Sequence, residues 1–507
     1  METESVPPEV EGQPGQHEHR SLEGLHASVG VPHSSAGFWR QLKAFSGPAI
    51  LISVGYMDPG NWSTDLSAGA TFKYGLLWVV ALSSLMAIFL QILASRLGVV
   101  VGKDLAQCCR DFYPKWTRWP NWLLCELAIA ACDLAEVLGS ALAIHLLFPK
   151  VSLLLAVFIT ALDVVLLLSL QHIGMRWIEA LVATLVATIG VCYAIEIFGL
   201  SQTHPNFVEM GRSLLHPRLG TDAMTLLAIG IVGATVMPHN LYLHSALVQS
   251  RKFQRDDASI GQAIKFNAID STLALTIAFF VNAAILVLAA LVFYGKDSVT
   301  VADGTVVAFN GGTDWMPTAY LTLAPLLGVA AASILFAIAL LASGQSSTIT
   351  GTLAGQVVME GFMHWRIRPW VRRLITRALA ITPAVLVIAA HGETHVTDLL
   401  NLSQIVLALQ LPLAMFPLLH FVSSRKLMGK WKPGWFLLVA GWTSAVLITY
   451  LDIKGMPEAY RQAKEVIMGA EEKPDEPEQK DEPKRDDEAA PKDGVKPAEP
   501  RPNEGKD

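Results

Sequence analysis

Two short segments, roughly half the chain apart, place polar side chains inside long apolar runs. They read Asp58-Pro59-Gly60-Asn61 and Met237-Pro238-His239-Asn240. The first offers a carboxylate and an amide, and the second offers a thioether. Oxygen ligands alone suit Mg²⁺ or Ca²⁺, whereas a thioether contributes little to those ions but is accepted by Mn²⁺, Fe²⁺ and softer metals. Together the two segments indicate a site for a transition-metal ion, with Met237 as the ligand that discriminates against Mg²⁺ and Ca²⁺.

Each segment also contains a proline, which removes one hydrogen bond from a helix and frees a carbonyl oxygen. Breaks in corresponding positions of two halves are typical of the central binding site of a transporter. Asp58 and Asn61 are three residues apart, and the same spacing relates Met237 to the carbonyl of Ala234. The structural alternative is that Met237 only packs against neighbouring side chains and that the matching positions of the two prolines are a coincidence. Both residue types are common in such helices. Polar residues on both sides of both prolines favour metal ligation.

The elements that carry these segments are those of an all-α membrane protein. The chain has 507 residues, of which 52% are hydrophobic and 16% charged, with a mean hydropathy of +0.42. Ordinary soluble domains are about a quarter charged, and a membrane span needs about 20 apolar residues. Windows of that length predict eleven transmembrane helices, at 45–68, 76–101, 121–148, 151–171, 176–199, 223–249, 267–294, 318–344, 374–391, 396–421 and 434–453.

The positions of lysine and arginine predict the orientation. They are concentrated in alternate loops, such as 103–118 and 366–377, and sparse in the others. The positive-inside rule then places the N-terminus of this multi-pass cell-membrane protein in the cytoplasm. An odd number of spans places the C-terminus outside the cytoplasm.

The two breaks also predict an internal repeat. Aligning Pro59 with Pro238 places Asp58 on Met237. The first and sixth spans run in opposite directions, which predicts a five-plus-five inverted repeat with unwound helices 1 and 6. The predicted units are repeat one at about 45–199, repeat two at about 223–421, and an extra helix at 434–453.

The predicted domain boundaries leave a tail at each end of a transporter domain that covers residues 41–455. We expect residues 1–40, which carry several histidines, to be a disordered cytoplasmic tail. We expect residues 456–507, which are rich in acidic residues and proline, to be disordered as well. The five cysteines fall in spans or in a predicted cytoplasmic loop, so we predict no disulfides and expect these side chains to be inert.

A route for protons is predicted beside the metal site. Glu126, Asp133 and Glu136 of span three fall within roughly 80° of one another on one helical face, which must look into the bundle or a wet cavity. The neighbouring groups that complete the route are His239, Arg372 and Arg373. We predict that protons pass from Asp58 by His239 and Glu136 to Asp133 and an arginine-lined cytoplasmic exit. For Glu126 a structural role in an ion pair is as well supported as a role in transport. We expect His244 to be a hydrogen-bonded packing residue or a gate residue.

The two proline segments resemble the signature pair of the Nramp family of proton-coupled divalent-metal transporters. Further matches are the three acids of span three, and Leu402-Ser403-Gln404 with Gln410-Leu411-Pro412 in span ten. The resemblance implies a LeuT-type fold and a symporter that imports Mn²⁺ or Fe²⁺ with protons by alternating access. It implies metal ligation by Asp58, Asn61, the Ala234 carbonyl and Met237. Gln404 would join in some conformations and is preferred to Gln410.

Two other classes of function fit the sequence less well than metal import. An amino-acid carrier of the same fold would present bare helix ends and glycines to its substrate, which a carboxylate and a thioether fit poorly. A membrane metalloenzyme or metal-sensing receptor lacks support, because the sequence contains no His-Glu-x-x-His, Gly-x-Ser-x-Gly or phosphate-loop motif. We therefore predict no enzyme activity, no permanently bound cofactor, and no nucleic-acid or evident protein partner. The predicted partners are metal ions, protons and the lipid bilayer.

Overall fold

The computed structural model describes residues 21–32, 36–162, 175–195, 205–300, 304–309, 313–327, 331–391 and 396–468. Helices dominate this part of the chain. In chain order they are α1 (Phe38–Phe45), α2 (Pro48–Gly55), α3 (Pro59–Phe72), α4 (Leu77–Val101), α5 (Leu105–Phe112), α6 (Arg118–Leu147), α7 (Leu153–Thr160), α8 (Met175–Ala194), α9 (Phe207–Leu215), α10 (Asp222–Val236), α11 (Pro238–Leu247), α12 (Asp257–Val292), α13 (Trp315–Leu327), α14 (Ala331–Met363), α15 (Pro369–His391), α16 (Val396–Ser423), α17 (Arg425–Met428) and α18 (Trp435–Met468).

Two short pairs of strands lie outside the helices. β1 (Val29–Gly30) pairs in parallel with β2 (Arg251–Lys252). β3 (Ser298–Thr300) pairs antiparallel with β4 (Val306–Ala308). The buried core is formed by the helices, whose facing surfaces are lined by leucine, valine, isoleucine and alanine.

The first and sixth predicted spans are both broken, which confirms the prediction of two interrupted helices. α2 ends at Gly55 and α3 begins at Pro59, while α10 ends immediately before Met237 and α11 begins at Pro238. Proline fits the first position of a helix, because its φ is already helical and its missing N–H has no partner there. Met237, which joins α10 to α11, has a φ of 32° and a ψ of 107°, a strained conformation for a residue with a side chain.

Within the described residues, 7 helical stretches are long and apolar enough to cross a membrane. They are α4, α6, α10 with α11, α12, α14, α16 and α18. The first predicted span does not qualify because its break leaves two short helices. The predicted span at 151–171 continues beyond the described residues, and α15 carries three buried arginines. The number eleven therefore stays a prediction.

The predicted eighth span, 318–344, has the wrong boundaries. The structure instead contains α13 at Trp315–Leu327 and a separate long helix, α14, at Ala331–Met363. The second half of α14 is rich in serine, threonine and glycine, which lowers its hydropathy, yet most of these residues are buried. Its small side chains let it pack closely against α6 and its neighbours. A hydropathy window does not detect such a surface.

The structure describes a part of each predicted tail. Leu22 is buried, and its N–H donates to Glu360 Oε2 over 2.9 Å. Backbone pairing of β1 with β2 then fixes residues 29–30, so residues 21–32 are not a free tail. At the other end α18 continues to Met468. Residues 1–20 and 469–507 of the predicted disordered tails lie outside the described residues.

Close contact between α3 and α12 leads to a first prediction. A Cβ built on Gly69 would lie 2.8 Å from Ala289 Cβ and would overlap the Leu286 carbonyl oxygen. Gly69→Ala should therefore lower stability by about 1–3 kcal/mol, as overpacking usually does, and lower the melting temperature of the purified protein in detergent. Gly190→Ala is the control, because a Cβ on Gly190 would meet no atom within 4 Å. Equal melting temperatures for both variants would contradict this close packing.

Candidate functional site

The two prolines free carbonyl groups that meet at one side chain. Pro59 offers no N–H to the Gly55 carbonyl four residues before it, and Pro238 offers none to Ala234. Both carbonyl oxygens accept from the same amide, Asn61 Nδ2, over 3.4 Å and 3.2 Å respectively. Asn61 therefore joins the two breaks, which belong to opposite halves of the chain.

Asp58 is the carboxylate at the first break and also caps α3. Its Oδ1 accepts from the backbone N–H of Asn61 over 2.9 Å and from Asn61 Nδ2 over 2.8 Å. Aspartate is a preferred N-cap residue because its side chain satisfies an N–H of the first turn. The side chain is fully buried, and a carboxylate deep in a membrane protein is expensive unless it has a partner. Its Oδ2 makes no hydrogen bond to Asn61.

Met237 faces the first break from the second. A Cβ built on Gly55 would lie 3.3 Å from Met237 Sδ, which places the thioether directly against the end of α2. Asn240 Nδ2 lies 3.5 Å from the same sulfur. Asn240 follows Met237 by three residues and contacts it, just as Asn61 follows Asp58 by three residues and contacts it. The repetition is what alignment of the two proline segments predicts.

The unwound residues of the first break have their carbonyl groups satisfied by other helices. Asn282 Nδ2 of α12 donates to the Tyr56 carbonyl over 2.8 Å and lies 3.3 Å from Asn61 Oδ1. Ser343 Oγ of α14 donates to the Met57 carbonyl over 2.5 Å. These bonds hold the break in a fixed shape, as is usual for irregular backbone at membrane depth.

Gln404 of α16 lies at the breaks, while neither polar side-chain atom of Gln410 has a hydrogen-bond partner among the described residues. A Cβ on Gly60 would overlap the side-chain amide of Gln404, and one on Gly233 would overlap the Gln404 carbonyl oxygen. Gln404 Oε1 is buried without a hydrogen-bond partner among the described residues. This geometry agrees with the preference for Gln404, whose part in ligation stays a prediction.

Cys132 of α6 occupies a position that the sequence did not predict. Its Sγ lies 4.0 Å from Asp58 Oδ2 and 3.9 Å from Glu136 Oε1. It also packs in one apolar cluster with Met237. The expectation that all five cysteines are inert gave this residue no part in the site. A cysteine one helical turn before Glu136 was the available signal, since residues four apart share a helical face.

The acids of span three pair with arginines of α15. Arg372 Nη2 lies 2.7 Å from Glu126 Oε2. Arg373 contacts two acids, with Nη1 2.6 Å from Asp133 Oδ1 and Nη2 3.1 Å from Glu136 Oε2. Arg372 and Arg373, which the sequence places on the predicted proton route, therefore form ion pairs with all three acids.

Two members of this network were missed. Arg377 Nη1 lies 3.2 Å from Asp133 Oδ1, and Thr348 Oγ1 donates to Glu136 Oε2 over 3.1 Å. Arg377 follows Arg373 by four residues, so both point from the same face of α15. Thr348 lies in the polar half of α14 that the hydropathy windows left out. Asp133 and Glu136 thus face two buried arginines.

The two histidines of α11 have different surroundings. His244 Nδ1 lies 2.9 Å from Gln91 Oε1, and Gln91 Nε2 donates to the Tyr56 hydroxyl over 2.6 Å. His244 is therefore hydrogen-bonded, and its part as a packing or gate residue stays a prediction. His239 is buried, and its Nδ1 has no hydrogen-bond partner among the residues that the structure describes. The Cys132 thiol lies between Asp58 and Glu136, within 4.0 Å of a carboxylate oxygen of each.

Comparison with known proteins gives a family match over most of the chain. A family model described as "Natural resistance-associated macrophage protein-like" matches residues 49–457. A protein of Nostoc sp. named "Divalent metal cation transporter MntH" is 50% identical over 432 residues, which cover 85% of this chain and 94% of the relative. A protein of the same name from Mesorhizobium japonicum is 48% identical over 440 residues, covering 86% and 92%.

Solved structures resemble the same part of the chain. A manganese transporter of Eremococcus coleocola has a TM-score of 0.77 at 39% identity, covering 90% of this chain and 93% of that one. Mhp1, a nucleobase-cation-symport-1 family transporter, has a TM-score of 0.54 at 13% identity and covers 87% and 99%. The second match shows a shared fold alone.

Proposed function

The chain belongs to the Nramp family and has the LeuT-type fold of an all-α membrane transporter, and we propose that it is an importer. Its proposed substrates are divalent transition-metal ions, which enter together with protons. Mn²⁺ is the proposed main substrate, and Fe²⁺ is accepted because it takes the same ligands. Relatives with half of their residues identical are named as divalent metal cation transporters, which supports this class of cargo. In this proposal the metal ion is the transported substrate and not a permanently bound cofactor.

The observation that carries the proposal is the meeting of hard and soft donors at the two breaks. Asp58 and Asn61 supply oxygens from the first break, and the Ala234 carbonyl and Met237 supply an oxygen and a sulfur from the second. Asn61 Nδ2 lies 3.2 Å from the Ala234 carbonyl oxygen, so the two sets of donors are within reach of one cation. Gln404 is the proposed further oxygen donor. Mn²⁺ and Fe²⁺ accept such a mixed set, whereas Mg²⁺ and Ca²⁺ gain little from the thioether.

The proposed proton route begins at the same carboxylate. A dication beside Asp58 repels a proton held there, which couples metal entry to proton displacement. Glu136 and Asp133 with their arginines offer the next positions, and the distances through Cys132 make it a more direct neighbour than His239. Glu126 with Arg372 is assigned to the exit or to a structural role. We keep His239 as a lining residue of the route.

Import by alternating access would require the two breaks to act as hinges. With the N-terminus in the cytoplasm and the C-terminus outside, α2 and α11 form the cytoplasmic halves of the broken helices. An inside-negative potential then favours entry by about 2.3 kcal/mol per charge per 100 mV.

The test is metal-driven acidification of proteoliposomes. The purified full-length protein is reconstituted, and internal Mn²⁺ and internal pH are followed with separate dyes while Mn²⁺, Fe²⁺, Mg²⁺ or a mixture of amino acids is added outside. We expect Mn²⁺ and Fe²⁺ to enter with acidification of the lumen, and the others to have no effect. Mn²⁺ flux no greater than in empty liposomes would reject metal import. Flux without acidification would reject proton coupling alone.

Replacing Met237 tests the selectivity argument. Met237→Ala should keep part of the Mn²⁺ uptake, because the oxygen donors remain, while Ca²⁺ and Mg²⁺ become substrates or competitors. Removing one sulfur should shift the ratio of Mn²⁺ to Ca²⁺ uptake by about tenfold or more. Radiotracer competition in liposomes measures the ratio. Met415→Ala is the control, since Met415 is buried in α16 about three helical turns beyond Gln404. Unchanged exclusion of Ca²⁺ in Met237→Ala would show that the thioether is only packing.

A further inference from the structure

The position of Cys132 adds a second sulfur to the site. Its Sγ lies 4.0 Å from Asp58 Oδ2, the oxygen that makes no hydrogen bond to Asn61. The side chain is 2% exposed and comes from α6, which belongs to neither broken helix. The thiol therefore approaches the carboxylate from a third direction, beside the donors of the two breaks.

The spacing of these two atoms fits one shared cation. Zn²⁺, taken as a reference divalent ion, lies about 2.1 Å from a carboxylate oxygen and about 2.3 Å from a cysteine sulfur. With those bond lengths, a separation of 4.0 Å between oxygen and sulfur gives an angle of roughly 130° at the metal. The two atoms are therefore close enough for one cation to contact both.

Two further donors surround the same position. Met237, from the second break, packs in one apolar cluster with Cys132. Gln404 is fully buried against Gly60, and its Oε1 has no partner in the part of the chain that the structure describes. An oxygen acceptor buried without a donor is costly, and a cation in this position would satisfy it. This observation is independent of the cysteine and indicates a ligand at the first break.

We propose that Cys132 is a specificity-determining residue whose sulfur contacts the transported ion and favours thiophilic divalent cations. This inference rests on the proposed function and narrows its substrate class. With Met237 alone, the site has one soft donor among several oxygens and suits Mn²⁺. With Cys132 as well, two soft donors face the ion, and soft cations such as Cd²⁺ gain more from sulfur than Mn²⁺ does.

The test compares Cd²⁺ with Mn²⁺ in the purified full-length protein. Dissociation constants are measured by isothermal titration, and uptake of each ion is measured in proteoliposomes. For Cys132→Ser we expect Cd²⁺ affinity to fall about tenfold or more, with Mn²⁺ affinity changed by less than about threefold. Cys125→Ser is the matched control. Cys125 is also a buried free cysteine of α6, and it lies about two helical turns before Cys132.

Each result separates this inference from the proposed function. An unchanged ratio of Cd²⁺ to Mn²⁺ affinity in both Cys132→Ser and Cys132→Ala overturns the role of the cysteine, while metal transport by the wild type still stands. Equal losses for both ions overturn it too, because a structural role would not distinguish the metals. A wild-type protein that binds neither ion overturns the proposed function itself together with this inference. Retained Mn²⁺ binding in the variants shows that they fold.

Discussion

Replacing Asp58 with alanine should abolish Mn²⁺ uptake. Asp58 is the single carboxylate in the two proline segments, and without it a dication would meet only neutral donors in a buried site. Loss of that charge should weaken Mn²⁺ binding by about 100-fold or more, which is roughly 3 kcal/mol. Isothermal titration gives the affinity, and dye-reported uptake in proteoliposomes gives the transport rate.

Two other variants separate charge from structure in this experiment. Asp58→Asn keeps an oxygen that accepts the Asn61 N–H and therefore keeps the cap of α3. We expect it to melt near the wild type and still to bind no Mn²⁺. Asp452→Asn changes a buried carboxylate of α18 and should leave uptake intact. Mn²⁺ uptake near the wild-type rate by Asp58→Ala would remove the basis of the proposed site.

The breaks were predictable because their cause is local in sequence. Pro59 and Pro238 each lack an N–H, whatever surrounds them, so each must interrupt a helix and free the carbonyl four residues earlier. The sequence also indicates the donors beside each proline. It does not show that one amide, Asn61 Nδ2, binds both freed carbonyls, because that contact depends on how the two halves of the chain pack.

The residues that sequence reasoning missed share a different property. Cys132, Thr348 and Arg377 are positioned by packing between α6, α14 and α15. Their residue types alone predict no functional role. A cysteine in an apolar helix is usually a packing residue, and a threonine in a polar stretch is usually assigned to a loop. An arginine near a predicted span end reads as part of a cytoplasmic loop. Their roles become visible only once the faces of three helices are known.

Errors in the boundaries arose from relying on hydropathy. The window that placed a span at 318–344 joined the apolar end of α13 to the apolar start of α14. It then stopped where serine and threonine begin, although those side chains return hydrogen bonds to their own helix, as Thr352 Oγ1 does to the Thr348 carbonyl. Small polar residues of this kind are compatible with burial in a helical bundle.

Removing Arg373 should be the most damaging change outside the metal site. Arg373 is buried and lies within 3.1 Å of Glu136 and 2.6 Å of Asp133. Arg373→Met fills a similar volume but leaves two acids facing Arg377 alone. Breaking a buried ion pair from one side usually costs about 3–5 kcal/mol, because a charge is left without its partner. We expect a large fall in melting temperature in detergent, together with loss of metal-driven acidification in liposomes.

A double substitution shows whether the loss comes from the uncompensated acid. If it does, Glu136→Gln added to Arg373→Met should recover part of the stability, because the amide no longer needs a cation, and the two effects should be strongly non-additive. Arg372→Met is the matched control, since its partner Glu126 is more exposed than Glu136 and loss of the Arg372 side chain should cost less stability.

Recovered stability without recovered acidification would favour a relay role for Glu136 over a purely structural one. Additive effects of the two substitutions would mean that Arg373 and Glu136 act independently, and the proposed coupling of this network to the proton would then have no basis.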